Sequence, residues 1–522
     1  MSSSSDGAAG GIPEAFRVAA RRGADAPCIV GDFPVWTFAR LDRASDRVAA
    51  GLAAGGIAHG ERVGLLCPNG PEFAVLYLGI LKAGAIVVPL NLRLSPKELA
   101  FILADAGAAA FCWAEELADL AEHSALAALE VPVRVRIAAT VAGGGSLLTG
   151  LPDVPGEPPE RSCAPQDAAA ILYTSGTTGR PKGAVLTHGN LVSNARAVAL
   201  ALGLRTGEDR ILVVLPMFHA FAATVGMLAP LLHGAALVPL PRFEPVLVSD
   251  TIATHGATVF LGVPSMYHLL LRAAEQAAGQ WRSVRFCVSG GAALPQALLR
   301  AFEARFGVPV LEGDGPTECS PVTCVNPVAG VRKPGSVGLP LPGVEMSIRD
   351  PAGAPLPVGE FGEVCVRGPN VMRGYWRLPE ATREAFFDDW FRTGDLGYRD
   401  EDGYFYLVDR LKDMIITNGA NVYPRMIEEV LYRHPAILEA AVVGEPHRLH
   451  GEVPVAHVVA PGADLREADL RAWCRDSLGA YEVPRRFVFC ETLPKNAAGK
   501  ILKRELRRGG EVERGVDLPT GP

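Results

Sequence analysis

A repeated exchange between two hydrophobic periods limits this chain's fold more than any other feature. Apolar runs of strand length alternate with helix-period segments from the N-terminal region onward. Residues 62–66 (Arg-Val-Gly-Leu-Leu) read as a strand, and 71–81 read as a helix with Pro71 in its first turn, where the missing N–H has no partner to lose. Residues 85–90 read as the next strand, and 96–105 as a helix with Ser95 as its N-cap. Parallel strands need a long crossover, usually a helix, and a sheet built from such units is covered on both faces. The expected fold class is therefore α/β with a mostly parallel sheet.

Changes of pattern divide the chain. Residues 143–146 (Gly-Gly-Gly-Ser) and the Pro-rich run 152–165 read as a linker before a second α/β region at 168–330. From 331 to 409 the helix signal thins, and runs such as 362–366 lie among Gly and Pro, which predicts a small β-rich subdomain. After Asp409 the pattern restarts, with a helix over 424–433 and strands over 440–443, 453–459 and 486–490. Asp464 and Glu467 predict a capping box that opens a helix to about residue 478. The division is a large N-terminal domain, 1–411, a small α+β C-terminal domain, 412–508, and a tail, 509–522, expected to be disordered.

Composition excludes several functions. At 522 residues with 49% hydrophobic and 20% charged side chains, the chain is too apolar for intrinsic disorder. Lys+Arg 50 against Asp+Glu 57 leaves a net charge of −7, with no basic surplus to meet a nucleic-acid backbone. The ten cysteines contain no C-x-x-C pair and read as reduced, mostly buried thiols rather than zinc ligands. The first residues show no basic-then-apolar leader, so a cytoplasmic protein is expected. Residues 211–241 carry no Asp, Glu, Lys or Arg, but prolines interrupt them. The longest proline-free piece would span only about 20 Å as a helix, short of the roughly 30 Å of hydrocarbon in a bilayer. A buried core segment is expected there, and no membrane span.

One loop carries chemistry. After the strand-like run 168–173 comes Thr174-Ser175-Gly176-Thr177-Thr178-Gly179-Arg180-Pro181-Lys182-Gly183. Glycines let backbone N–H groups turn toward an anion, hydroxyls add donors, and Arg180 and Lys182 add positive charge. Lys182 is followed by Gly rather than Ser or Thr, so this is not a Walker A loop.

The segment 173–183 resembles the phosphate loop of the adenylate-forming superfamily, which contains acyl-CoA synthetases, luciferase-type enzymes and peptide-synthetase adenylation domains. Further motifs follow in that family's order over roughly residues 30–505, and the resemblance implies the following roles. Thr174, Ser175, Gly176, Thr177, Thr178, Gly179 and Lys182 would hold the nucleotide phosphates. In Gly313-Asp314-Gly315-Pro316-Thr317-Glu318, Thr317 would contact the α-phosphate and Glu318 would hold Mg²⁺. Asp395, in Thr393-Gly394-Asp395, would accept the ribose hydroxyls, with Arg410 nearby and Lys412 as hinge. Lys500 would be the catalytic lysine. Phe218 and His219 would lie at the acid pocket, and the Gly290-Gly291-Ala292 backbone would wall both the acid and the adenine. A mobile C-terminal domain would then bring Asn418 and Gly419 to coenzyme A.

The implied reaction is acyl-CoA ligation: a carboxylate attacks the α-phosphate of ATP to give an acyl-AMP, and a thiol then displaces AMP. One position departs from the pattern. Asp314 stands where the family carries an aromatic that stacks on adenine, and such stacking is worth about 1–3 kcal/mol. Two alternatives follow. One is an enzyme with impaired adenylation that uses a preformed acyl-adenylate supplied by a separate adenylating enzyme. The other is an acyl-AMP ligase that loads a carrier protein. A non-catalytic nucleotide-binding relative is disfavoured by the retained Glu318, Asp395, Lys412 and Lys500. The acid is expected to be small and hydrophobic or ring-bearing, because the stretch around 218–227 is apolar, and a dicarboxylate is disfavoured because residues 262–271, a pocket-lining segment in the family it resembles, contain no Arg or Lys.

Overall fold

The computed structural model describes residues 10–137, 148–149, 161–174, 181–273, 278–462, 465–496 and 499–512. Two large sheets face each other across a shared layer of helices. The first has eight strands. Its parallel centre comprises Ile86–Pro89, Arg62–Leu66, Ala108–Ala114 and Val133–Ile137. Ala168–Thr174 joins this centre in parallel, and Lys182–Thr187 then pairs with Ala168–Thr174 in antiparallel register. The second has nine strands, with Ala236–Pro239, Arg210–Val213, Val259–Gly262, Phe286–Ser289 and Val310–Asp314 parallel and in that order.

Helices Phe38–Ala54, Pro71–Lys82 and His188–Ala201 bury apolar side chains between the sheets, in one cluster that includes Val63, Phe73, Leu191, Val213 and Leu261. Pro71–Lys82 is buried along nearly its whole length, so it is apolar all round. The outer faces are covered by Pro96–Ala106 on one side and by Pro245–His255, Pro264–Ala273 and Gln296–Phe306 on the other. Pro96–Ala106 opens on a Ser95/Glu98 capping box and stops at Gly107, whose φ of 63° is open to a residue without Cβ.

A five-stranded antiparallel sheet that includes Glu345–Arg349, Gly362–Arg367, Trp390–Arg399 and Phe405–Arg410 forms the β-rich subdomain. The chain changes sheet between Arg410 and Ile415. The C-terminal unit is a second five-stranded sheet with Pro424–Tyr432 and Glu467–Arg475 packed on one face.

Several expectations need correction. Glu467 begins its helix instead of occupying the third helical position, because Arg466 is the cap and pairs with Asp469; Asp464 lies outside the described residues. The backbone is helical over Lys503–Val512, so the tail expected from 509 begins inside a helix. Residues 513–522, 143–146 and 152–160 lie outside the described residues. The uncharged stretch 211–241 becomes strand Arg210–Val213, a π-helical segment Ala222–Leu228 continuing into Ala229–His233, and strand Ala236–Pro239. Among the described residues no helix is long and apolar enough to cross a membrane. Nine of the ten cysteines are buried, all are free, and Cys490 is half-buried.

Candidate active site

Parallel strands collect their functional loops at their carboxyl ends. Here Arg210–Val213 leads to His219, Val259–Gly262 to Ser265, Phe286–Ser289 to Gly290 and Gly291, and Val310–Asp314 to Thr317 and Glu318. The loops carrying His219, Gly290–Gly291 and Thr317 line one cavity. Its lining includes His219, Gly290, Gly291, Asp314 and Thr317, and Ala292 follows Gly291 in the chain. Its apolar lining includes Val198, Leu202, Phe221, Val225, Val322 and Leu341. Among the described residues, His219 and Asp314 are the ionisable ones that line it. Phe218 does not line this cavity and packs against the core. Phe221 presents its ring instead, so close to Gly290 that a Cβ there would stand 3.3 Å from Phe221 Cε1. The π-helical segment carries Val225 into the wall, and such segments recur at functional sites.

Burial, reinforced by the nearby Lys500, holds the His219 imidazole down to about 4, so it is neutral at neutral pH. Lys500 comes from the C-terminal unit. Gly499 beside it has φ 83°, and a Cβ there would meet Val263 Cγ2 at 3.0 Å and Ser265 Oγ at 3.2 Å. The lysine loop is therefore seated on the large unit. Burial, followed by the charge of Arg410, lowers the Lys500 ammonium pKa, while Asp395 and Asp314 oppose the shift. Lys500 nonetheless keeps an exposed surface.

Asp395 and Arg410 pair in register on neighbouring strands, with Nε 2.8 Å from Oδ1. Buried Glu363 shapes the turn before Asp395: its Oε2 accepts from Arg392 at 3.0 and 2.9 Å, and its Oε1 accepts from the Gly394 N–H at 3.1 Å. Gly394 has φ 72°, a conformation that favours glycine. Burial, then the charge of Asp395, raises the Asp314 carboxyl pKa, and both Arg410 and Lys500 pull it back.

Thr174 pairs in register with Lys182, which brings the two sides of the segment 175–181 together. Ser175, Gly176, Thr177, Thr178 and Gly179 lie outside the described residues. The Lys182 ammonium lies 5.2 Å from the centroid of the Tyr375 ring, and the Tyr375 hydroxyl donates to Glu318 Oε1 at 2.8 Å. Tyr375 reaches this place because the two-residue strand Gly374–Tyr375 pairs with Lys182–Thr187. Sequence reasoning missed Tyr375, because a two-residue strand has no period to detect. It also missed Glu312, whose Oε1 accepts the Leu294 N–H at 3.0 Å and lies 3.8 Å from Arg425 of the C-terminal unit. Burial pushes this carboxyl up to about 7.

Lys412 sits in the turn between the last strand of the β-rich subdomain and the first strand of the C-terminal unit. Burial, with Arg410 close by, lowers its ammonium pKa. Asn418 and Gly419 form an exposed turn in the C-terminal unit.

Comparison with known proteins identifies this arrangement. Residues 16–376 match the family described as AMP-binding enzyme, and residues 426–500 match the AMP-binding enzyme C-terminal domain. The chain belongs to the AMP-binding enzyme family, the adenylate-forming class. It is 40% identical over 474 residues to a feruloyl-CoA synthase of Amycolatopsis sp, covering 90% of this chain and 93% of that one. It is 37% identical over 472 residues to a long-chain-fatty-acid–CoA ligase of Mycobacterium tuberculosis, covering 90% and 92%.

Among solved structures, an anthranilate CoA ligase in complex with anthranoyl-AMP superimposes with TM-score 0.88 at 29% identity, covering 99% of this chain and 100% of that one. ATP-bound MatB from Rhodopseudomonas palustris superimposes with TM-score 0.86 at 34% identity, covering 95% and 98%. Within its class the protein is an AMP-forming acid–thiol ligase that joins a small carboxylic acid to CoA through an acyl-adenylate, using ATP. Carrier-protein loading and thioesterification alone are not favoured, since these relatives are named for CoA thioesters over nearly their full length.

Proposed function

We propose that the acid is hydrophobic and carries no second charge, and that Lys500, Thr317, Glu318 and His219 activate it. The cavity lining carries this reading: among the described residues it offers no ionisable group apart from His219 and Asp314, and most of its side chains are aliphatic or aromatic. A second carboxylate against its aliphatic lining would lose its hydration, and no Lys or Arg among the described lining residues would replace it.

In the first step an oxygen of the acid attacks the α-phosphorus, the bond to the β-phosphate oxygen breaks, and pyrophosphate leaves. Two anions must approach, so catalysis rests on charge neutralisation and positioning. Lys500 bridges the attacking carboxylate and the α-phosphate, and Thr317 holds the same phosphate. Neutral His219 orients the acid by hydrogen bonding without adding a charge. Thr174, residues 175–179 and Lys182 hold the leaving pyrophosphate, while Asp395 and Arg410 hold the ribose.

Glu318 would hold Mg²⁺. A single carboxylate fixed by Tyr375 suits an ion that takes its other ligands from phosphate oxygens and water. Bound there, the ion would neutralise phosphate charge. In the second step the CoA thiol attacks the acyl carbon and AMP leaves, after the C-terminal unit turns about Lys412 and brings Asn418 and Gly419 forward.

Asp314 is compatible with both steps. Repulsion between its carboxylate and the phosphates of ATP is countered by two cations, since Arg410 and Lys500 both act on it. What remains is the lost stacking, about 1–3 kcal/mol. A panel of acids offered with ATP and CoA tests the proposal. Neutral aliphatic and aryl acids should form thioesters, and preferred turnover of a dicarboxylate or sulfonated acid would overturn it.

A further inference from the structure

The exposed turn Asn418-Gly419 is held in one shape from outside. Both residues have positive φ, 52° and 81°, between the register partners Thr417 and Ala420. That is the backbone of a two-residue hairpin turn whose twist matches its strands. A second hairpin lies against it: Glu439–His447 and Gly451–Val459 are joined by residues 448–450, with His447 facing Gly451. Thr417 pairs with Gly451, and the Ile416 N–H donates to Glu452 Oε2 at 3.1 Å, so the two tips are adjacent.

His450 ties them together. Its carbonyl accepts the Asn418 N–H at 2.9 Å, and its Nδ1 lies 2.7 Å from Asn418 Oδ1. Its Nε2 lies 3.0 Å from Arg485 Nη2, and its ring stacks on His447 with centroids 4.6 Å apart and planes 21° apart. An amide oxygen only accepts and a guanidinium only donates. The tautomer with its proton on Nδ1 satisfies both: it donates to Asn418 and accepts from Arg485. Arg485 is itself anchored, its N–H donating to the Pro454 carbonyl at 2.8 Å. The exposed turn is thus linked by side chains to the central strand of the C-terminal sheet.

We propose that His450 is a positioning residue for thioester formation: it clamps the Asn418–Gly419 turn so that the turn meets the CoA arm already ordered. This rests on the reading that the turn serves CoA. A turn that must be ordered at each encounter adds an entropic cost to every attack, and small misplacements at a reacting centre can slow it by up to about a hundredfold. Adenylation depends on Lys500 and the opposite face of the cleft, so it should not depend on His450.

The test measures the half-reactions separately, by pyrophosphate exchange and by single-turnover attack of CoA on a synthetic acyl-adenylate. His450→Ala should slow CoA attack by about tenfold or more and leave exchange within about twofold. Asn418→Ala should cost a similar factor, and the double variant should be little worse than either single one, because both remove one interaction. His450→Asn, which keeps a donor near the Nδ1 position, should recover most of the rate. Unchanged CoA attack in His450→Ala, or an equal fall in both half-reactions, overturns the clamp. Gly419→Val disturbs the turn directly. If it leaves CoA attack untouched, the CoA reading of the turn fails; if it abolishes attack while His450→Ala does not slow it, only the clamp fails.

Discussion

Replacing Glu312 by glutamine should separate stability from activity. Glu312 is buried at 3% exposure in the middle of strand Val310–Asp314, and burial pushes its carboxyl from 4.5 up to about 7. The unfolded chain releases this proton near pH 4.5 and the folded chain near 7. Between those values the folded state binds more protons, so stability falls as pH rises, and the loss is complete above about pH 7. Its size is about 3 kcal/mol. Gln is a neutral isostere that keeps the acceptor for Leu294 and never incurs that loss. The variant should match the parent near pH 4.5 and exceed it by about 3 kcal/mol at pH 8.

Activity should move the other way. The Glu312–Arg425 separation of 3.8 Å links the large unit to the helix Pro424–Tyr432 that docks the C-terminal unit. At an effective dielectric near 20 the attraction has a ceiling of about 4 kcal/mol. Arg425 keeps its 2.6 Å bond to the Leu407 carbonyl, which limits the damage. We expect pyrophosphate exchange to fall by about tenfold at pH 8, with CoA attack on a preformed adenylate retained. Urea unfolding at pH 5 and pH 8, with exchange rates at pH 8, checks both parts. A variant less stable than the parent at pH 8, or a stability difference that does not vary with pH, would refute the reasoning.

Two further outcomes follow from the site. Tyr375→Phe removes the hydroxyl that donates to Glu318; a hydrogen bond to a charged group is worth about 1.5–3 kcal/mol, so pyrophosphate exchange should drop by roughly tenfold or more, and unchanged exchange would remove Tyr375 from the site. His219 is held down to about 4 by burial and Lys500, so the unfolded chain binds more protons between about pH 6.5 and 4 and stability should fall as pH drops through that window. His219→Asn should flatten that part of the unfolding profile, and an unaltered slope would contradict the buried neutral imidazole.

The parts of this protein legible in the sequence are those with a period or a motif. Strand Arg62–Leu66 and helix Pro71–Lys82 follow from apolar runs and a proline in the first helical turn, where local preference and tertiary burial agree. Asp395 and Arg410 could be paired only through family resemblance, because register across strands is not written in either strand alone. The uncharged stretch 211–241 is apolar on every face, so neither the π-helical segment nor the choice of Phe221 over Phe218 could be read from it. Glu312, Glu363 and Tyr375 are single polar residues among ordinary neighbours. Their partners lie 18, 31 and 57 residues away in sequence and meet them only after folding.

The central claim is that Lys500, seated on the large unit, serves adenylation and not the attack of CoA. Lys500→Ala measured in both half-reactions tests it most directly. The account predicts that pyrophosphate exchange falls by about a hundredfold or more, while a synthetic acyl-adenylate is converted to its CoA thioester at close to the parent rate. Equal losses in the two half-reactions, or exchange at the parent rate, would contradict it.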